Sequence, residues 1–366
     1  MSVKKPPQSP DPDAPAVDTN GTKEWFESLK LQPGAKVAIV THDTPDPDAI
    51  GAALACQWLF RRRFQAESTV FCKGSVSHPQ NKTVVNLLNI DLQRLGADDD
   101  LGGFALRVVV DATPATWDRT GESGKIAFDA YFDHHPKATI PPKWSGHADY
   151  RHAGSACAIM RSVMRELGME FDADNEDDQI VATAMVVGIR TDTEEMSVDD
   201  TSEIDLLALA ELHPFVAQKI LRQIIRYPVP KLWYELRRKA EEEAASEGSA
   251  LVTGLGFLTQ ESRDALAWVA DDLERRDGVD TCVAFGIIEG RIVGVVRCSN
   301  PSLELNDFVR RVFGEDSVGG GKRGKAAATA PLGSFFAGYT ESSKAKLWDA
   351  VRIITTERAF KAASGQ

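Results

Sequence analysis

Within the run Thr41-His42-Asp43-Thr44-Pro45-Asp46-Pro47-Asp48-Ala49-Ile50-Gly51, three side chains are spaced to hold a hard cation: His42, Asp46 and Asp48. Two aspartates two residues apart, both near a histidine, repel one another unless a positive charge sits between them. Further along, Asp111 closes the apolar run Leu106-Arg107-Val108-Val109-Val110, Asp133-His134-His135 follows the run at 128–132, and Asp192 ends a helical stretch in Arg190-Thr191-Asp192-Thr193. Asp46, Asp48, Asp111 and Asp192 carry enough charge to neutralise two divalent cations. With imidazole nitrogens added, this oxygen-rich donor set suits Mn²⁺ or Mg²⁺ better than a structural zinc. Two such ions about 3.5–4 Å apart activate water and stabilise the leaving oxygen in phosphoester hydrolysis. Taken singly, Asp111 reads as a loop cap and Asp192 as an ordinary polar residue. Two adjacent histidines directly after a buried run are harder to explain by packing, and the set is stronger than any member.

Such residues need elements that end where they stand. Val37-Ala38-Ile39-Val40 predicts a buried strand just before His42, and Ala52-Ala53-Leu54-Ala55 the first turns of a helix that runs on to Arg63. Residues 68–72, 106–111 and 128–132 read as further strands, and 79–88, 155–167 and 178–189 as helices. Ser155 reads as the N-cap of its helix, at a helix start where an anion can dock. Strands alternating with helices, with acidic residues at strand ends, predict the α/β class and a doubly wound, mostly parallel sheet. In such sheets ligands bind beyond the carboxyl ends of the strands.

From about 199 to 247 the pattern is helical, broken at Pro228 and Pro230, and its charged run at 237–243 reads as a solvated linker helix. After Ser249 the chain restarts as a smaller α/β unit: a strand, a helix at 260–276, strands at 281–288 and 291–298, and a helix at 303–313. The expected division is a disordered tail at 1–20, rich in Pro and Asp, a metal-binding domain at 21–205, a helical linker at 206–248, and a second domain at 249–366 ending in a helix.

Composition removes several classes of function. A net charge of -12 over 366 residues disfavours a protein that coats long nucleic acid, while leaving room for a small anion at a local cation. Five scattered cysteines, with no Cys-x-x-Cys pair, give neither a zinc knuckle nor a disulfide framework, so a reducing cytoplasm is expected. No apolar run is long enough to span a bilayer and no signal peptide is evident, so no membrane partner is expected.

The residues also carry a resemblance. His42-x-x-x-Asp46-x-Asp48-x-x-Gly51, then Asp111 at a strand end, then Asp133-His134-His135, then Gly188-Ile189-Arg190-Thr191-Asp192-Thr193 resemble, in their usual order, the four motifs of the DHH phosphoesterase superfamily. The resemblance implies His42 and Asp46 on one Mn²⁺, Asp48, His134 and Asp192 on the other, and Asp111 bridging both. It implies Asp133 as the group that orients a neighbouring imidazole, and His135 as a contact to the scissile phosphate or the donor of a proton to the leaving oxygen. Pro47 and Ala52 depart from the usual motif, and neither is expected to ligate.

In the second domain, Gly319-Gly320-Gly321-Lys322 followed by Ala326-Ala327-Ala328 is similar to the glycine-rich loop of the DHH-associated substrate-binding domain, where amide N–H groups cradle an anion. Arg297-Cys298-Ser299-Asn300 resembles that domain's Arg-x-Ser element, in which Arg297 would grip a phosphate bidentately. Lys322 stands where the family commonly has His. A lysine binds phosphate as a point charge but cannot stack or switch protonation, which leaves the substrate open.

The resemblance therefore implies a phosphoesterase with two Mn²⁺, or Mg²⁺, that hydrolyses short oligoribonucleotides or adenosine 3′,5′-bisphosphate. Its partner would be a short oligonucleotide or nucleotide phosphate; a homodimer is left open. The rival enzyme is a phosphodiesterase for cyclic dinucleotides or their linear products, with polyphosphate or pyrophosphate hydrolysis ranked lower. A non-catalytic nucleotide sensor is the rival outside enzymes, and the complete ligand set argues against it.

Overall fold

Between Val40 and Gly51 the chain meets two features that shape its first unit, the start of a helix and the close packing of that helix. A computed structural model describes residues 21–96, 99–118, 126–135, 146–322, 324–333 and 338–365, so the tail expected at 1–20 lies outside the described residues. The chain divides into two units: Met1–Val76 with Gln80–Tyr227, and Ser77–Pro79 with Pro228–Gln366.

The first unit contains, in order, α1 (Thr22–Ser28), β1 (Lys36–Val40), α2 (Pro47–Phe64), β2 (Glu67–Cys72), α3 (Pro79–Leu87), β3 (Leu92–Arg94), β4 (Leu106–Val110), β5 (Ala130–Asp133), β6 (His147–Tyr150), α4 (Ala156–Glu166), α5 (Glu176–Asp192), α6 (Glu203–Leu212) and α7 (Gln218–Ile225). Its six strands form one sheet in the order β3-β2-β1-β4-β5-β6, and every pairing is parallel. Val37 through Val40 are fully buried, as a continuous apolar strand covered on both faces should be. The order of the strands reverses between β1 and β4, which makes the crevice beyond their carboxyl ends a switch point suited to ligands. His42 follows β1 and Asp111 follows β4.

Local chemistry fixes the first feature, the start of α2. The Asp46 side chain caps the helix by accepting from the N–H groups of Asp48 and Ala49, both at 3.0 Å, and Pro47 occupies the first helical position, where its missing N–H costs nothing. The helix thus begins five residues earlier than the alanine run predicts, and it places Asp48 in its first turn. The second feature is close packing of α2 against α5. A Cβ on Gly51 would fall 2.8 Å from Ala184 O, and one on Gly188 would fall 2.9 Å from both Asp48 Cα and Pro47 O. β3 and β6 escape an apolar-run reading because they are short, and β6 reads His-Ala-Asp-Tyr.

The second unit contains α8 (Lys231–Glu242), β7 (Ala245–Glu247), β8 (Ala250–Leu258), α9 (Asp264–Glu274), β9 (Thr281–Ile288), β10 (Arg291–Cys298), α10 (Leu305–Phe313), β11 (Val318–Lys322), β12 (Lys325–Pro331) and α11 (Glu341–Ala363). Its sheet runs β11-β12-β10-β9-β8-β7, antiparallel except for the parallel pair β8 and β9. Alternation along β9 separates two cores. Val283, Phe285 and Ile287 pack with α10 and α11, while Cys282, Ala284 and Ile288 pack with α8 and α9.

Two expectations change here. The stretch expected as one linker at 206–248 is divided between the units, because Leu212, Leu221 and Ile224 are buried in the first core, whereas Trp233, Leu236 and Ala240 are buried in the second unit. The glycine run is an edge strand, not a loop: Gly319 pairs with Ala328 and Gly321 with Ala326. A Cβ on Gly321 would fall 2.5 Å from Ala326 Cβ, so the missing side chain permits the strands to approach.

Candidate metal centre

Four chain segments bring their polar residues together at the carboxyl end of the first sheet. His42 stands two residues past β1, Asp46 and Asp48 at the start of α2, Asp111 directly after β4, Asp133 at the end of β5 with His134 and His135 following, and Asp192 at the last position of α5. Three groups result whose donor atoms lie within 4.8 Å of one another: His42, Asp46 and Asp111; Asp48, His134 and Asp192; and Asp111, His134 and His135. Asp111 and His134 each belong to two groups, so the three are contiguous.

The distances describe a cluster of acceptors. His42 Nε2 lies 3.5 Å from Asp111 Oδ2 and 3.9 Å from Asp46 Oδ2. His134 Nε2 lies 3.3 Å from Asp111 Oδ1, 3.2 Å from Asp192 Oδ2 and 3.9 Å from Asp48 Oδ2. Asp48 and Asp111 are 1% and 3% exposed, too deep for water to screen their mutual repulsion. Asp111 also holds a left-handed backbone, φ 55°, a costly conformation for a residue with a Cβ.

Supporting bonds fix which atoms face the cluster. His134 Nδ1 lies 3.1 Å from Ala153 O, a carbonyl that can only accept, so the ring proton is at Nδ1 and Nε2 turns toward the three carboxylates. Asp48 accepts from the N–H groups of Ala156 and Cys157 at 2.6 and 2.9 Å. The anion docked at the Ser155 helix start is thus the chain's own Asp48, which sits at the positive end of α4. Ser155 caps that helix as expected, accepting from Ala158 N–H at 3.2 Å. Asp133, fully buried, accepts from His135 Nδ1 at 2.7 Å, so the imidazole it orients is that of His135.

Charge balance in the cluster is tense. Burial, and then the Asp111 and Asp192 carboxylates, push the Asp48 carboxyl well above its ordinary range. Burial raises Asp192 to about 6, with Asp111 and Asp46 adding to the effect against His134. Burial opposes charge at Asp111 too, but the His134 and His42 rings prevail and hold its carboxyl below the usual range. At His134 burial disfavours the imidazolium, yet Asp111, Asp48 and Asp192 outweigh it and raise the pKa to about 10. Even so, among the described residues Asp111 Oδ1 and His134 Nε2 are buried without an aligned hydrogen-bond partner. A divalent cation that displaced the Nε2 proton would have both atoms, among further carboxylates, as donors.

The remaining sequence candidates lie in the second unit. Arg297 is buried and its guanidinium faces Asp271, with Nη2 3.4 Å from Asp271 Oδ2 and Nη1 donating to Val296 O at 3.1 Å. Ser299 is exposed and its N–H donates to Asp280 O at 2.8 Å. Gly319, Gly320, Gly321 and Lys322 form β11, and the Gly321 N–H donates to Asn306 Oδ1 at 2.9 Å. Ala153, Ala156 and Cys157 escaped the sequence reading because they act through backbone atoms; the Ser155 cap was the signal for the helix start but not for what docks there.

Comparison with known proteins gives a family match over the segment that carries the candidate ligands from His42 to His135. Residues 36–189 match the model of the DHH family, N-terminal domain. An uncharacterized protein of Methanocaldococcus jannaschii is 30% identical over 324 residues, which is 88% of this chain; the chain spans 63% of that relative's length. Among solved structures, an exopolyphosphatase-related protein from Bacteroides fragilis shares the fold with a TM-score of 0.66, covering 93% of this chain and 96% of that chain at 13% identity.

Proposed function

The chain carries a DHH-family N-terminal domain at residues 36–189, and from that premise we propose that it is a two-metal phosphoesterase acting on short oligonucleotides or nucleotide phosphates such as adenosine 3′,5′-bisphosphate. His42, Asp46 and Asp111 would hold one Mn²⁺ or Mg²⁺, and Asp48, His134 and Asp192 the other, with Asp111 shared. A cation pair in such a site supplies Lewis acidity toward a phosphoryl oxygen and a hydroxide nucleophile at neutral pH. The observation that carries the reading is the convergence of three contiguous ligand groups on two buried, shared members, Asp111 and His134.

The chain's own residues supply the rest. Asp133 takes the Nδ1 proton side of His135 and leaves Nε2 as the site from which a proton is delivered to the leaving oxygen. At 34% side-chain exposure, His135 can be reached by substrate. In the second unit the Gly319–Gly321 backbone, Lys322 and Ser299 are the proposed phosphate contacts. Arg297 joins them by exchanging the Asp271 carboxylate for a phosphate. The net charge of -12 favours a short substrate whose charge is met locally over a long polyanion.

Purified protein with Mn²⁺ should be offered adenosine 3′,5′-bisphosphate, a dinucleotide RNA, a cyclic dinucleotide and polyphosphate, beside Asp48→Ala and Asp192→Ala. The reading expects turnover of one of the first two, reduced more than about 100-fold in both variants, beyond the loss typical of supporting groups. Preference for the cyclic dinucleotide or polyphosphate would change the substrate class and keep the centre. Nucleotide binding without any turnover would replace the enzyme by a sensor.

A further inference from the structure

One short backbone segment, Ala153 to Cys157, touches two residues of the candidate metal centre. Ala153 O fixes the His134 tautomer, and the N–H groups of Ala156 and Cys157 hold both oxygens of Asp48. Gly154 lies against the residue next to Asp192: a Cβ there would fall 2.5 Å from Thr193 Cγ2. Two members of the Asp48, His134, Asp192 group, Asp48 and His134, therefore depend on where this segment sits.

The segment is itself held by a carboxylate that belongs to another helix. Asp205, in the first turn of α6, is fully buried. Its Oδ2 accepts from Gly154 N–H at 2.7 Å and its Oδ1 from the Ser155 hydroxyl at 2.9 Å. On its own side it closes the capping box of α6, accepting from Ser202 N–H at 2.9 Å and from the Ser202 hydroxyl at 3.0 Å. The hydroxyl that donates to Asp205 is the one that caps α4, so Asp205 also sets which lone pairs Ser155 offers to Ala158 N–H. With Ser155 spent on Ala158, the N–H groups of Ala156 and Cys157 are left for Asp48.

Resting on the two-metal reading above, we infer that Asp205 is a positioning residue for the metal centre, acting through the Ala153–Cys157 backbone on Asp48 and His134. Four donors converge on this carboxylate; an amide in its place would lose the charge and turn an N–H₂ toward at least one of them, reversing the bond where that one is the Ser155 hydroxyl. Asp205 touches neither a reacting atom nor a candidate metal position, and its effect is on how tightly the Asp48, His134 and Asp192 group holds its cation.

The test is Mn²⁺ titration calorimetry on the full chain, comparing wild type with Asp205→Asn, Ser202→Ala and Asp178→Asn, each also unfolded in urea. Ser202→Ala opens the α6 capping box and leaves the Asp205 contacts to Gly154 and Ser155. Asp178→Asn disturbs an equally buried carboxylate, bonded to Trp58 and Arg62 at the far end of α5. All three should lose stability, but only Asp205→Asn should weaken Mn²⁺ binding, by about 10–100-fold as for other groups that orient ligands. The two controls should stay within about twofold. Asp205→Asn within twofold of wild type overturns the inference alone, and so does equal weakening in all three variants. Absence of Mn²⁺ binding by the wild type overturns the two-metal reading and the inference with it. Should Asp205→Asn fail to fold, Ser155→Ala, which severs one Asp205 contact to α4, should weaken binding several-fold, and unchanged binding there also overturns the inference.

Discussion

Gly188→Ala adds one methyl group where there is no room for it. In the native packing of α5 on α2, the new Cβ would lie 2.6 Å from Cys157 Sγ and 2.9 Å from Asp48 Cα and Pro47 O. The sulfur is itself fixed by its contact to Asp48 O at 3.3 Å, and the other two atoms are backbone, so no rotamer change relieves the clash. Ordinary contact begins near 3.4 Å, so Asp48 or α5 must shift by about 0.5 Å, with a stability cost of roughly 1–3 kcal/mol for overpacking. That shift also reaches the tolerance of a metal site, about 0.5 Å. The variant should unfold at lower urea and bind Mn²⁺ about tenfold more weakly, with Cys157→Ala in the same chain recovering stability in part but not affinity, because the Asp48 contact remains. Urea unfolding and Mn²⁺ calorimetry read the two effects separately. Wild-type stability together with wild-type affinity would refute the packing argument.

The remaining predictions concern protons. In metal-free protein, with EDTA present, the native state keeps a proton on His134 up to about pH 10, whereas the unfolded chain releases it near 6.5. That contribution is complete below pH 6.5 and is lost as pH rises toward 10; Asp192, raised from 3.8 to about 6, loses its own over the lower window in the same direction. Urea midpoints in EDTA should therefore fall across these ranges. Mn²⁺ replaces the protons and should reverse the slope, so a midpoint that rises with pH in EDTA would count against the cluster's electrostatics. Asp133→Ala removes the acceptor at 2.7 Å from His135 Nδ1 and should lower kcat by about 10–100-fold while leaving Mn²⁺ affinity within about twofold. Loss of affinity instead would make Asp133 a support of the metal ligands.

Much of this centre was legible in the sequence because its residues end strongly apolar elements. Val37 to Val40 and Leu106 to Val110 could only be buried strands, so the polar residues that follow them had to stand at one edge of a sheet. His42, Asp46, Asp48, Asp111, His134, His135 and Asp192 meet in groups there. What stayed hidden acts through backbone or through tertiary packing. The N–H groups that hold Asp48 carry no residue signature, and Asp205 looks like any first-turn aspartate until its partners 50 and 51 residues away are known. Pro47, noted only as a departure, has a plain local reason as the first residue of α2. The glycine run suggested a loop because glycine is permissive, yet here it forms an edge strand whose neighbours approach too closely for a side chain.

The central claim is that Asp111 joins two cation positions in one centre. Mn²⁺ titration followed by electron paramagnetic resonance measures this directly, since adjacent manganese ions couple their spins. Wild type should take up two Mn²⁺ per chain and give a spin-coupled signal, and Asp111→Ala should lose the coupling. A single uncoupled ion in the wild type, or coupling that survives Asp111→Ala, would contradict the account.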